Sequence, residues 1–404
     1  MRCYEEILAY LETLPVVNTH SHHLRHRQFF DYHPNFTYTG QYDLNTLLHM
    51  SYCAWCGPLP GEEGYFAKVK NRGPFRALER GLQELYGIHA PLNEETYGIF
   101  DEAIRAAYPN GEDHTFAILR EKCGYEKIVL DAPLTPGDTY GEPDLFAGVI
   151  RLDYFLQGYA DDTAELNGLN CRTFHGRENF LTLQDFCDTF RRVVEQKKNC
   201  GLKALKCAAA YERGLDFAQV SKERAEKVFT EKEPTAQQIR DFQDYFFHFA
   251  LDVAREFDLP VQIHTGLGGM VKSNPHTLQP VIASHRENKF VLFHGGYPWT
   301  DEWLGLLQAY PGTVYGDTVW LPVLSETAAE RVLCEVIDIA NADAVTWGCD
   351  TWTGEESYGS LLAMRRVLAR ALGRKVEEGY FSLADAFEAG KNIMYNNAKK
   401  LYQL

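Results

Sequence analysis

Short apolar runs bounded by Gly, Pro or Asp recur along the chain and alternate with longer stretches whose apolar residues repeat at helical period. Eight runs predict strands: 15–22, 125–132, 145–151, 202–207, 260–265, 290–295, 313–316 and 344–350. Uninterrupted apolar sequences such as Val291-Leu292-Phe293 suit strands covered on both faces, as a parallel sheet flanked by helices requires. Eight such units predict an α/β fold, a single (β/α)8 TIM-like barrel domain over residues 1–404, with its working face at the C-terminal strand ends.

The intervening helices carry their own signals. After Pro234, Thr235 and Gln238 stand at capping-box spacing, and Ile239, Phe242, Phe246, Phe249, Val253 and Phe257 follow at helical period. His248 on that helix lies away from every strand end and is read as structural or exposed. Residues 382–404 read as one closing amphipathic helix. One connection breaks the rhythm, because residues 24–122 are too many for a single crossover helix. They predict a mainly helical insertion, with helices around 76–86 and 94–108, leaving the end of the first strand as a lid over the active-site face.

Composition narrows the partners. A formal net charge of −16 argues against a nucleic-acid or anionic-membrane partner. No apolar run approaches the roughly 20 residues that span a bilayer. The opening Met1-Arg2-Cys3-Tyr4-Glu5-Glu6 mixes charge with apolar residues and does not read as a signal peptide. Ten cysteines without a repeating framework suit reduced thiols, so the expected compartment is the cytoplasm. Cys53 and Cys56 form a C-x-x-C without a matching second pair and read as free thiols. The expected partner is a small-molecule substrate, with homo-oligomerisation left open.

Chemistry gathers at the predicted strand ends. In a strand, residues two apart share a face, so His20 and His22 project together while Ser21 and His23 point the other way. His264 ends the fifth run, His294 the sixth and Asp350 the eighth, and Lys206 stands at the matching place on the fourth. Such residues on one rim point to a divalent metal, zinc first, with manganese or iron as alternatives, as one or two ions. Bound metal makes water a nucleophile at neutral pH, and Asp350 can shuttle its proton. Lys206 either carries a carbamate bridging two metals or, as an ammonium, stabilises an anion. Tyr211 and Arg213 could hold a substrate carboxylate, although a salt bridge would equally occupy Arg213. Tyr297, Trp299, Trp320 and Trp352 read as pocket walls or as packing. Asp317 and Glu355 are candidate polar contacts, and His26, His33 and His49 could reach in from the insertion.

The order of H-x-H, lysine, histidine, histidine and aspartate on successive strands resembles that of the amidohydrolase superfamily, in the branch that holds hydrolases, decarboxylases and uronate isomerases. The segment Lys206 to Leu215, Gln262-Ile263-His264-Thr265-Gly266 and Leu292-Phe293-His294-Gly295-Gly296-Tyr297-Pro298 are similar to the amidohydrolase-like domain of FluG and nodulin-related proteins. Asn392-Ile393-Met394-Tyr395-Asn396-Asn397-Ala398 also fits that group and uronate isomerases. The resemblance implies metal contacts for His20, His22, His264 and Asp350, His294 close to metal or substrate, and Lys206 as a bridge. It implies hydrolysis of an amide, secondarily a lactone, in a small polar metabolite; sugar-acid isomerisation and decarboxylation are the alternatives. Two departures stand out: Asn18 where the family often has Asp, and Glu212 followed by Arg213 where the group places Arg directly after the tyrosine.

Overall fold

The computed structural model describes residues 2–25, 42–55, 57–109, 114–133, 135–159 and 182–404. His26, His33 and Cys56 lie outside the described residues. The strands are β1 (Val16–Ser21), β2 (Tyr125–Leu130), β3 (Phe146–Arg151), β4 (Leu202–Cys207), β5 (Val261–Ile263), β6 (Phe290–Leu292), β7 (Val314–Asp317) and β8 (Val345–Thr346). They follow one another as parallel neighbours in a nearly closed (β/α)8 barrel. Each lies in its apolar run, except that β7 extends one residue to Asp317. β5, β6 and β8 stop earlier than their runs, so His264, His294 and Asp350 stand just past the strands. His294 and Asp350 turn the chain away with φ of 62° and 57°, a region that residues other than glycine rarely adopt.

The chain divides into two compact units. In the unit formed by 129–317, 338–346 and 397–404, the register pairs Cys207 with Ile263 and Ile263 with Leu292, so β4, β5 and β6 end level. The helix Ala236–Glu256 begins at the expected Thr235–Gln238 capping box. Phe242 and Phe246 of its stripe are buried, with rings against Phe186 at 5.3 and 5.4 Å, whereas Ile239, Phe249 and Phe257 are only half-buried. Phe247, off the expected stripe, is buried as well and stacks on Phe217 at 3.7 Å. Covering both faces of its edge lets this helix bury more aromatic surface than a single stripe would.

The unit formed by Met1–Ile128, Thr318–Ile337 and Trp347–Asn396 holds β1 and the described part of the 24–122 stretch, with helices Leu44–Met50, Tyr65–Val69, Gly73–Tyr86 and Tyr97–Ala107. Gly73–Tyr86 packs on Gly354–Glu377 by backbone approach. A Cβ on Gly359 would sit 2.2 Å from the Ala77 carbonyl oxygen, and one on Gly81 would sit 2.9 Å from that of Glu355. The closing segment departs from expectation: it is Leu383–Lys391 and Asn397–Tyr402, interrupted by a π-turn at Asn392–Asn396. Asn397, which follows the turn, donates its side-chain amide to the Ala342 and Val345 carbonyls at 2.7 Å each.

In the same unit as β1, residues 347–351 run alongside that strand. Thr19 N donates to Trp347 O at 3.2 Å, Asp350 N to His20 O at 2.9 Å, and His22 N to Thr351 O at 3.0 Å. Gly348 makes this approach feasible, because a Cβ there would lie 2.5 Å from His20 N. Gly348→Ala should therefore lower unfolding stability by about 1–3 kcal/mol in a urea melt. Gly305→Ala, in a helix where the added Cβ meets nothing within 4 Å, should cost nothing or stabilise by up to about 1 kcal/mol. Equal effects of the two substitutions would contradict the close approach at Gly348.

Candidate metal centre

The backbone ladder between β1 and 347–351 fixes the positions of three donors. His20 and His22 leave the same face of β1, with ring centroids 4.8 Å apart and planes nearly perpendicular. Asp350 Oδ1 lies 3.4 Å from His20 Nε2 and 3.2 Å from His22 Nε2. All three side chains are buried, and their ligand atoms lie within 4.8 Å of one another. Two imidazoles and a carboxylate converging in this way match the nitrogen and oxygen donor set of zinc, manganese or iron, so the residues present fit a divalent cation.

Around the trio the chain is clamped. Asn18 donates its side-chain amide to Cys349 Sγ at 2.9 Å and accepts from Cys349 N at 3.0 Å, so the residue before Asp350 is held from both sides. The Asn18 amide thus has a defined task, one that an acceptor-only carboxylate could do only in part. Thr351 Oγ1 and Ser357 Oγ point at the same sulfur at 3.0 and 3.3 Å, and burial pushes the Cys349 thiol up to about 11. Its neutral sulfur serves as their acceptor. His23 lies behind, its Nε2 4.0 Å from Cys349 Sγ, and burial brings its pKa down to about 3, so the ring is neutral.

Trp352 stacks on His22 with centroids 4.9 Å apart, which restricts the imidazole's rotation. Thr353 then caps the helix Gly354–Glu377 by accepting from Glu356 N. Glu356 is a buried carboxyl that sequence reasoning missed, although the spacing from Thr353 to Glu356 is a helix-start signal. It accepts from Tyr52 N at 2.7 Å and from Trp352 N at 3.4 Å. Burial raises its pKa to about 8, the two backbone donors oppose this, and the Asp350 charge adds to it. Glu355 accepts from the Tyr86 and Tyr108 hydroxyls at 2.9 Å each, contacts within the protein where substrate contact had been considered. Trp320, in a left-handed conformation at φ 63°, is buried between Tyr52 and Trp55, at 4.5 and 5.2 Å. His49 is occupied with the Asn45 carbonyl at 2.8 Å, and Cys53 is a buried thiol raised to about 12 by burial.

The other unit carries a second cluster. His264 follows β5, and its Nδ1 is 2.9 Å from His294 Nε2, while its Nε2 meets the Leu267 carbonyl. Tyr211 lies against His264 at 4.4 Å. Gly268 leaves room for both, since a Cβ there would lie 2.8 Å from His264 Nε2 and 2.9 Å from Tyr211 Cε1. Lys206 is buried with its Nζ 3.6 Å from the centroid of Phe293, over the ring face. Tyr297 is half-buried, with its carbonyl closing on Gly266. Arg213 is directed elsewhere: it forms a buried ion pair with Asp244 and lies 4.2 Å over Phe217. A guanidinium committed to an internal carboxylate is ill suited to recognising one on a substrate. Asp317 accepts from Thr346 Oγ1 at 2.8 Å.

Glu356 yields a pH prediction for metal-stripped protein. Its folded pKa of about 8 exceeds the ordinary carboxylate value of 4.5, so between these pH values the native state holds a proton that the unfolded chain has lost. Stability from this group is complete below pH 4.5 and falls as pH rises to 8, by a few kcal/mol as an order of magnitude. Glu356→Gln should flatten that fall in melts run from pH 5 to 8. An unchanged slope would show that Glu356 ionises normally in the folded state.

Residues 206–404 match the sequence model of the amidohydrolase family described as Amidohydrolase. Over 341 residues the chain is 27% identical to Protein fluG of Emericella nidulans, covering 75% of this chain and 38% of that protein, so it spans well under half of that relative. Its fold is similar to uronate isomerase from Thermotoga maritima, at 18% identity and a TM-score of 0.76, covering 99% of this chain and 97% of that one. It is also similar to glucuronate isomerase from Caulobacter crescentus, at 15% identity and a TM-score of 0.74, covering 100% and 94%. A protein named as a metal-dependent hydrolase from Lactobacillus casei matches at 19% identity and a TM-score of 0.68, covering 98% and 97%. Just under half of the chain, residues 206–404, thus resembles the amidohydrolase family in sequence, and the barrel resembles those of the two isomerases and the hydrolase in fold.

Proposed function

We propose that this chain is a metal-dependent hydrolase that cleaves an amide bond, secondarily a lactone, in a small polar metabolite. The observation that carries the reading is the buried convergence of His20 in β1, His22 just after it and Asp350 in the segment that follows β8. His264 as a further ligand and Lys206 as a bridge or anion-stabilising ammonium belong to the same proposal, on the family resemblance. A divalent cation, most simply zinc, would activate water and polarise the scissile carbonyl. Asp350 would accept the proton of the attacking water and deliver it to the departing amine. Its carboxylate is held for that work by the Asn18–Cys349 clamp, and His22 by Trp352. His294 and Tyr211, which touch His264, would orient the substrate. The 24–122 insertion would serve as a lid, a role supported by Tyr52 and Trp55 packing on Trp320 and by the Tyr52–Glu356 hydrogen bond.

A second reading, isomerisation of a sugar acid, is favoured by the extent of the fold likeness: both isomerases align over at least 94% of their length with this chain. The same shell would then move a proton between adjacent carbons. Proton NMR in deuterated buffer separates the two. Metal-loaded protein incubated with N-acyl and γ-glutamyl amides should release free amine, and Asp350→Asn should slow that release by roughly 10²–10⁴-fold. Deuterium entering a uronate next to its carbonyl, with every amide left intact, would overturn the hydrolase reading in favour of the isomerase.

A further inference from the structure

Away from the metal centre, a cavity of about 540 Å³ opens between three helices of one unit. The helix Arg2–Thr13 contributes Tyr4, Leu8 and Glu12, Gly73–Tyr86 contributes Arg80, and Gly354–Glu377 contributes Arg365 and Arg366. Arg365 is the unusual member. It is only 8% exposed, and its Nε finds no acceptor. Among the described residues no carboxylate pairs with its guanidinium; Glu12 acts on it only through space. A buried arginine cannot shed its proton to escape the cost of burial, so an unpaired one needs an anion from outside the chain.

The neighbouring charges sharpen the point. Arg80 and Arg366 both lean on Glu326, at 3.4 and 3.8 Å, and that carboxylate also accepts from Arg370 at 2.9 Å. Arg370 has Glu330 as a further partner at 2.9 Å. One carboxylate is thus shared by three guanidiniums. On the cavity wall the opposing acids are Glu12 and Glu84, and Glu84 accepts from the Tyr358 hydroxyl at 3.3 Å. The affinity of Arg80 for its own proton is lowered by burial and next by the charge of Arg366, and burial acts likewise on Arg365.

We infer that this cavity is a second ligand site, in which Arg365, flanked by Arg80 and Arg366, binds the phosphate or carboxylate group of a small polar anion. The guanidinium offers planar, paired donors suited to either oxyanion, and the cavity has room for a ligand of metabolite size. The site is built on the helix that starts four residues after Asp350 and carries Glu355 and Glu356 in its first turn, and on the helix Gly73–Tyr86 packed against it. This inference does not rest on the hydrolase reading.

Isothermal titration of the full chain with inorganic phosphate and, separately, succinate, at fixed ionic strength, tests it. At least one anion should bind the wild type saturably, and the tighter of the two identifies the group. Chelating all metal should leave this binding unchanged, which separates it from anions held at the metal centre. Arg365→Gln should weaken it roughly ten-fold or more, and Arg80→Gln several-fold. If Arg365→Gln does not fold, Arg80→Gln and Arg366→Gln, at half-exposed positions, carry the test. Failure of both anions to bind the wild type, or undiminished binding in the folded variants, would overturn the proposal.

Discussion

The candidate metal centre depends on the backbone pairing of β1 with residues 347–351. Three hydrogen bonds, at 2.9 to 3.2 Å, bring the last segment past β8 against the first strand. That pairing sets the Asp350 carboxylate beside two imidazoles that β1 already presents on one face. Gly348 permits the approach, Asn18 locks Cys349 from both sides, and the left-handed turn at Asp350 aims the carboxylate. A non-glycine residue in that conformation costs of order 1–3 kcal/mol, which the surrounding hydrogen bonds must offset. His294 and Trp320 share the conformation, so local strain recurs among the residues to which chemistry was assigned.

A second layer ties the 24–122 stretch to the same place. Glu355 and Glu356 occupy the first turn of Gly354–Glu377, where the helix dipole favours acidic side chains, yet both turn inward. One receives Tyr86 and Tyr108, the other Tyr52 and Trp352. Tyr52, Tyr86 and Tyr108 of that stretch are thus hydrogen-bonded to the helix that begins four residues after Asp350. Tyr52, Trp352 and His22 are linked in turn through the Glu356 carboxylate and the stacked ring.

Much of this is legible in the sequence. Eight apolar runs located eight strands, because a strand covered on both faces needs an unbroken apolar sequence; the Thr235–Gln238 spacing located a helix start. The period of two in a strand brought His20 and His22 to one side. Other features depend on partners distant in sequence. Nothing local to Arg213 announces Asp244, which reaches it from the helix Ala236–Glu256. Cys349 resembles any small apolar residue until Asn18 is brought to it, and Glu356 resembles any acidic residue in a first helical turn until Tyr52 buries it. The interruption at Asn392–Asn396 leaves no mark in the periodicity, and the Ala342 and Val345 carbonyls that Asn397 holds lie far from it in sequence.

The central claim is that His20, His22 and Asp350 hold a divalent cation. The most direct test is anomalous diffraction from crystals of zinc-loaded protein, collected on both sides of the zinc absorption edge. The account predicts a peak about 2.0–2.2 Å from a ring nitrogen of His20, a ring nitrogen of His22 and a carboxylate oxygen of Asp350. A peak only elsewhere, or none after loading, would contradict it.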